Sequence, residues 1–410
     1  MDTLWLSRVI WIIRAPAQTR VPILMTDAVA TRPAAQMSRQ ALLVLIPLGF
    51  ALLGLVVRYA VFATIARDAS LSTFADGLCR WDCQWYVRLA EQGYDPFPVP
   101  TMINAGNWAF FPLYPMLISV VRFLTGLPTM VAATGTSILL SIGAARIAFP
   151  LLGRDLRAYV LFSAFLLCGP FSVYFTTFYT EVLFLFLTVC VFWALGERKF
   201  LLAGLFAAGL SATRIVGVFI VFAILIEVWR AHREAGGTWR DFVPAVLRRP
   251  DVVLAFALAP LGLFAYMLYL HLSIGDALAF QHVQRAWGRP FGLPPVFVYN
   301  ALTSWPSSGF LPTASQVLGL ATLVGYGLIV VMLLRRKFAM AAYSVVALTL
   351  PLFAGMASML RFVAGLAPMP LMLATLAARR SWSFWLVLGL ILVGAWYGTV
   401  GWLTEYLALV

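Results

Sequence analysis

Charge is scarce in this chain. Only 11% of its 410 residues are Asp, Glu, Lys or Arg, whereas 62% are hydrophobic. A soluble domain is about half apolar and about a quarter charged. So few charges cannot cover a body this apolar, which excludes a soluble globular fold and makes lipid the solvent. Histidine is almost absent: His232, His271 and His282 form no metal-spaced set. Four cysteines show no disulfide framework and no zinc-ligand pattern. Cys168 and Cys190 fall inside apolar runs and read as inert core thiols. Cys79 and Cys83 stand four apart, within touching distance on one helical turn, and the sequence leaves open whether they are bonded. Net charge is +13, yet no nucleic-acid motif accompanies it. The basic residues cluster between apolar runs, as the bias toward cytoplasmic loops and anionic lipids demands, so membrane lipids and not nucleic acid are the expected partners.

Long apolar runs are what the sequence has in abundance. A helical span takes about 20 apolar residues. The first clear one runs from about Ala41 to Ala63, and others lie near 109–127, 129–150, 157–178, 181–196, 200–214, 215–229, 251–272, 314–334, 338–357, 362–378 and 382–402. These predict an all-α polytopic membrane protein of about 11–13 transmembrane helices, one domain over 41–410. Segments 1–40, 197–199, 230–250, 335–337 and 379–380 hold seventeen Lys and Arg residues and are assigned to the cytoplasm. Residues 64–108 and 273–312 hold only five and are assigned outside as two long loops, the first carrying short interfacial helices. Arg8 interrupts the apolar stretch at the start, so 1–40 reads as a cytoplasmic, membrane-lying segment and not as a signal peptide. The number of crossings does not close between residues 109 and 200, where one run must be a half-span or two must be one. No internal repeat and no soluble domain are visible.

Charged residues inside a membrane are costly and mark function. The richest polar stretch is Cys79-Arg80-Trp81-Asp82-Cys83-Gln84-Trp85-Tyr86-Val87-Arg88-Leu89-Ala90-Glu91-Gln92-Gly93-Tyr94-Asp95, leading to Ala109-Phe110-Phe111-Pro112-Leu113-Tyr114-Pro115. Trp81, Trp85 and Tyr86 are expected on one side of a short helix with Asp82 beside them. An aromatic ledge next to a carboxylate suits a sugar; the competing reading is an interfacial helix anchored by Trp. Further along come Gly169-Pro170-Phe171-Ser172 with Phe178-Tyr179-Thr180-Glu181, then Ser211-Ala212-Thr213-Arg214-Ile215-Val216-Gly217, then Gly275-Asp276-Ala277 with Gln281, Gln284 and Trp287-Gly288-Arg289, and finally Met359-Leu360-Arg361-Phe362. In this order, from residue 80 to 362, the five elements resemble the signature of the PIG-V-type mannosyltransferases, multi-spanning glycosyltransferases of the GT-C class. Two departures stand out: Ala277 in place of the family's Pro, and Ile215-Val216 in place of Ser-Asn, which bears on acceptor contacts.

The resemblance implies a GT-C-type fold and an inverting transfer of a sugar, most readily mannose, from a polyprenyl-phosphate donor to a lipid or glycan acceptor on the extracytoplasmic face. An Arg- and Ala-rich composition suggests a bacterial inner membrane. Inverting transfer needs a base for the acceptor hydroxyl, and Asp82 occupies the family's first-loop acid position; the competing reading pairs it with Arg80 or Arg88 or makes it a helix cap. A lipid-phosphate leaving group needs cations, for which Arg361, Arg214 and Arg289 are the candidates, against snorkelling or paired arginines. Trp81, Trp85, Tyr86, Glu91, Tyr94, Tyr179, Glu181, Gln281 and Trp287 are candidate sugar or acceptor contacts; Glu181 reads equally as an acid favoured by a helix N-terminus. No cofactor is expected. The single Asp82, with no second acid two residues away, points to metal-independent chemistry, a divalent cation being left open. The alternative class is a polytopic lipid or solute transporter or flippase.

Overall fold

Every regular element is helical, and among the described residues no strand forms; one backbone bridge joins Val99 to Ala105. The computed structural model describes residues 33–66, 70–100, 103–289, 291–304 and 313–406. Most of the expected cytoplasmic segment 1–40, and parts of both long loops, lie outside those residues. Five helices are long and apolar enough to cross a membrane: Arg39–Ile65, Thr129–Ala148, Ile215–Glu234, Ala314–Leu334 and Ser381–Leu403. Two bent pairs, Pro250–Leu258 with Leu261–Ile274 and Met359–Gly365 with Pro368–Ala377, raise the number to 7 if each is one span. The chain is thus an all-α polytopic membrane protein.

The remaining apolar runs form shorter helices: Leu113–Thr125, Leu156–Cys168, Glu181–Gly196, Phe200–Ser211 and Phe338–Leu352. A helix of 13 residues such as Leu113–Thr125 extends only about 20 Å, against a hydrocarbon core of about 30 Å. Between 109 and 200 only Thr129–Ala148 has the length of a full crossing, which is why counting crossings failed there.

The run 157–178, expected as one span, is broken for a visible reason. Its helix opens on Asp155, whose carboxylate accepts from the backbone N–H groups of Arg157 and Ala158, and ends at Cys168. Gly169-Pro170 cannot continue it, because proline lacks the N–H and disfavours helix in the residue before it. The carbonyls left over at a helix C-terminus attract cations, and Arg58 supplies one. This fully buried arginine donates to the Leu167 carbonyl at 3.3 Å and to Ser172 Oγ at 3.0 Å. After one turn at Val173–Thr176 the chain re-enters helix at Glu181. The break is wedged from the other side by the last helix, where Gly394 and Gly398 lie on Pro170. A Cβ at Gly398 would collide with the Pro170 carbonyl, so Gly398→Ala is expected to cost about 1–3 kcal/mol of stability. A melting temperature in detergent equal to wild type would refute that contact.

The helix Glu181–Gly196 is buried through most of its length. It packs on Thr129–Ala148 and Phe200–Ser211, so its uniformly apolar surface faces protein and not lipid. From Leu43 on, the described residues form one compact unit; the segment up to Leu42 contributes the start of the helix Pro33–Ile65.

Candidate active site

All five of the sequence elements converge on one cavity of about 500 Å³. Its polar wall carries Asp82, Glu181, Arg214, Arg289 and Arg361, with Gln281, Gln284 and Trp287 from the 273–312 loop. Its apolar wall is built from Ile215, Val216, Phe219, Ala347, Leu350 and Phe353 among others.

The centre of the polar wall is Arg361, in the short helix Met359–Gly365. Its Nη1 donates to Asp82 Oδ2 at 2.6 Å, and its Nη2 to Ser358 Oγ at 3.3 Å. Its Nε stands 3.1 Å from Glu181 Oε1, an ion pair without hydrogen-bond geometry. Arg214 reaches the same Glu181 oxygen at 2.6 Å. One carboxylate therefore serves two guanidiniums, and one guanidinium bridges two carboxylates. Burial differs along this chain of charges: Glu181 is 1% and Arg361 8% exposed, Asp82 23%. The second oxygen of Glu181 has no hydrogen-bond partner among the described residues. Aromatic faces complete the cage: Arg214 lies 4.5 Å from the Phe362 ring centroid, and Arg361 5.5 Å from that of Tyr179, distances at which a ring quadrupole attracts a cation. Gly365 leaves room for Glu181, since a Cβ there would press on the Glu181 side chain.

Arg289 differs from the other two. It lines the cavity and makes no hydrogen bond or ion pair among the described residues. Desolvation, and then the nearby Arg361, push its guanidinium below its ordinary value, while Asp82 draws it back up. A cation so placed is stabilised by an arriving anion. Together the wall carries two carboxylates and three guanidiniums, a net charge of +1.

Asp82 pairs with neither Arg80 nor Arg88. Arg80 stands 3.7 Å from Glu405, and Arg88 donates to Asp95 at 2.8 Å. Asp82 precedes the helix Cys83–Gln92 without capping it. Cys79 and Cys83 are disulfide-bonded, which the sequence left open. The expected aromatic ledge is rearranged, because the helix begins only at Cys83 and Trp81 stands before it in a left-handed conformation (φ +48°). The Trp81 ring turns edge-on to Trp402, 4.7 Å away, and off the cavity. Trp85 stacks on Phe110 and meets Trp287 edge-on, both at 5.7 Å, so it stands behind the lining. Tyr86 does line the cavity and bonds Thr180 Oγ1 at 3.1 Å. Tyr179 sits beneath Arg361 and donates to the Arg80 carbonyl at 2.8 Å. Glu91 and Tyr94 are elsewhere: Glu91 accepts from Thr129 Oγ1, and Tyr94 donates to the Phe110 carbonyl at 2.7 Å.

Sequence reasoning missed the clasp that shapes the first loop. Asp95 and Asn107, both buried, exchange backbone-to-side-chain bonds at 2.9 and 3.1 Å. Trp108 Nε1 donates to the Asp95 carbonyl at 2.7 Å. Asp95 and Asn107 are ordinary loop residues by type, and nothing in their spacing announces a reciprocal pair. Trp402 was invisible for a different reason, as a tryptophan in a terminal apolar helix reads as an interface anchor.

Over 223 residues, half of its length, the chain is 26% identical to GPI alpha-1,6-mannosyltransferase 2 of Mus musculus, and over 226 residues 27% identical to the protein of that name from Cricetulus griseus. The chain is their distant relative. The match spans 43% and 42% of those proteins' own lengths. No family model and no solved structure matches.

Proposed function

We propose that this chain is an inverting membrane mannosyltransferase of the GT-C class, using a polyprenyl-phosphate-linked sugar as donor and a lipid or glycan as acceptor. The observation that carries the reading is the Arg361 bridge between Asp82 and Glu181 at the polar wall of a mainly apolar cavity. A phosphodiester donor brings one negative charge, which matches the net +1 of the wall. Arg289, without a partner among the described residues, and Arg361 are the phosphate ligands, and Arg214 keeps Glu181 in place. The apolar wall around Phe219 and Leu350 receives the first prenyl units.

In the free protein Asp82 Oδ2 is occupied by Arg361 Nη1 at 2.6 Å and is not turned to an acceptor hydroxyl. The donor phosphate competes for that guanidinium. As Arg361 turns toward the phosphate it keeps Glu181, and Asp82 is released to take the acceptor hydroxyl's proton while the anomeric carbon is attacked. Gln281, Trp287 and Tyr86 offer the sugar a hydrogen-bonding and stacking edge. The two cavity carboxylates are engaged with guanidiniums, which supports the metal-independent reading. The disulfide beside Asp82 favours an oxidising compartment, which supports an extracytoplasmic site. The bacterial inner membrane is proposed from composition.

The test is transfer by purified protein from polyprenyl-phosphate-mannose to a membrane lipid extract, with and without chelator. Mannose transfer undiminished by chelator is the expected result. A protein that binds polyprenyl phosphate but transfers nothing would favour the flippase class instead.

A further inference from the structure

We propose that the Cys79–Cys83 disulfide is the positioning device for Asp82, so that reducing it lowers turnover while leaving donor binding and the fold in place. The proposal rests on the reading of Asp82 as the base. The disulfide closes a five-residue ring that contains Arg80, Trp81 and Asp82. Two side-chain bonds from elsewhere in the chain hold the backbone here, one just before the ring and one within it. Trp402 Nε1 donates to the Leu78 carbonyl and Tyr179 Oη to the Arg80 carbonyl, each at 2.8 Å. Inside the ring Trp81 holds a φ of +48°, a conformation that bulky residues avoid and that persists only where the surroundings over-determine it.

Asp82 sits where an aspartate ordinarily folds back to cap the helix it precedes. Here it makes no cap bond and reaches Arg361 instead. Opening the ring lets Trp81 relax to a negative φ, which withdraws the Trp81 carbonyl from the Gln84 N–H that now donates to it at 3.3 Å and offers that N–H to the Asp82 carboxylate as its local alternative. The base then leaves the cavity while the guanidiniums that hold the donor stay.

The bond is reachable. Cys83 is buried and starts the helix, but Cys79 lines a second cavity of about 340 Å³ with Gln84, Arg88 and Glu91, on a different face of that helix from Tyr86. A dithiol entering there attacks the Cys79 sulfur. The S–S bond breaks, Cys83 leaves as thiolate and takes a proton, and the reductant's second thiol displaces Cys79. Two electrons pass to the protein and the reductant ends as its own disulfide.

The experiment compares oxidised wild type, wild type reduced with dithiothreitol, and the Cys79→Ser/Cys83→Ser double variant, with thiols counted by alkylation and mass spectrometry. In the reduced protein and the double variant kcat is expected to fall by on the order of 100-fold, the loss typical of a reacting group displaced by about 1 Å. Donor KM should not change, reoxidation should restore the wild type, and dithiothreitol should do nothing further to the double variant. Reduced wild type, verified by alkylation, that keeps the oxidised kcat overturns the proposal. So does a loss that falls on donor KM or is not regained on reoxidation, since that marks a general structural role. The in-place reduction decides the matter even where the double variant does not fold. Absence of transfer by the oxidised protein would instead overturn the mannosyltransferase reading, and the positioning role with it.

Discussion

Asp82→Asn is expected to lower kcat for mannosyl transfer by roughly 100- to 10,000-fold, the range that a positioned general base contributes. The amide keeps the size of the side chain and can still accept from Arg361, so the fold and the cavity should survive. Two consequences distinguish this from a binding defect. Donor KM should not rise, because the phosphate is gripped by arginines and the amide competes for Arg361 less than the carboxylate did. The melting temperature should stay close to wild type, because Asp82 is the most exposed member of the charge chain. A variant with wild-type kcat would remove Asp82 from the chemistry and leave Glu181 as the cavity's remaining acid.

Arg361 is the position where substitution should damage both function and fold. Its Nε and Nη1 address two different carboxylates, and a lysine offers one ammonium where the guanidinium offers a rigid fork. Arg361→Lys is therefore expected to cut kcat/KM by on the order of 100-fold, the size of losing one buried charged contact, with a rise in donor KM as a visible part of it. Arg361→Met goes further and leaves the two acids without their shared cation. Breaking a buried ion pair from one side costs about 3–5 kcal/mol, which should show as a lower melting temperature or a smaller folded fraction. If Arg361→Lys kept both kcat/KM and melting temperature, the bridge would be incidental.

Much of this arrangement was legible in the sequence because charge in an apolar chain is conspicuous. Asp82, Glu181, Arg214, Arg289 and Arg361 each interrupt an apolar or aromatic setting, and all five line the cavity. Who pairs with whom was not legible. Asp82 and Arg361 are 279 positions apart, and no spacing rule reaches that far; the sequence offered Arg80 and Arg88 as nearer partners. The aromatic residues were harder still. Trp81, Trp85, Tyr86 and Tyr94 all lie within one turn-rich stretch, and whether a ring faces a cavity or backs it depends on a single backbone dihedral such as that of Trp81. The apolar runs were legible as helices, but of the 11–13 crossings expected from them only five, or seven with the bent pairs, have the length of a span among the described residues. Gly169-Pro170 divides a run that hydropathy reads as continuous.

The net charge of the cavity wall has a consequence for how a catalytic cycle would end. In the proposed reaction the donor leaves as a phosphate monoester, which carries up to two negative charges near neutral pH because its second pKa is about 6. By then Asp82 has gained a proton, so the wall has moved from +1 to +2. Neutrality is kept before and after transfer, and the spent lipid phosphate is held as firmly as the fresh donor was. Clearing the site then means separating two charges from two opposite ones at the edge of the hydrocarbon region. The least costly route is for the proton on Asp82 to depart with the phosphate, which would make the local acidity at the cavity mouth a control on how fast the site empties.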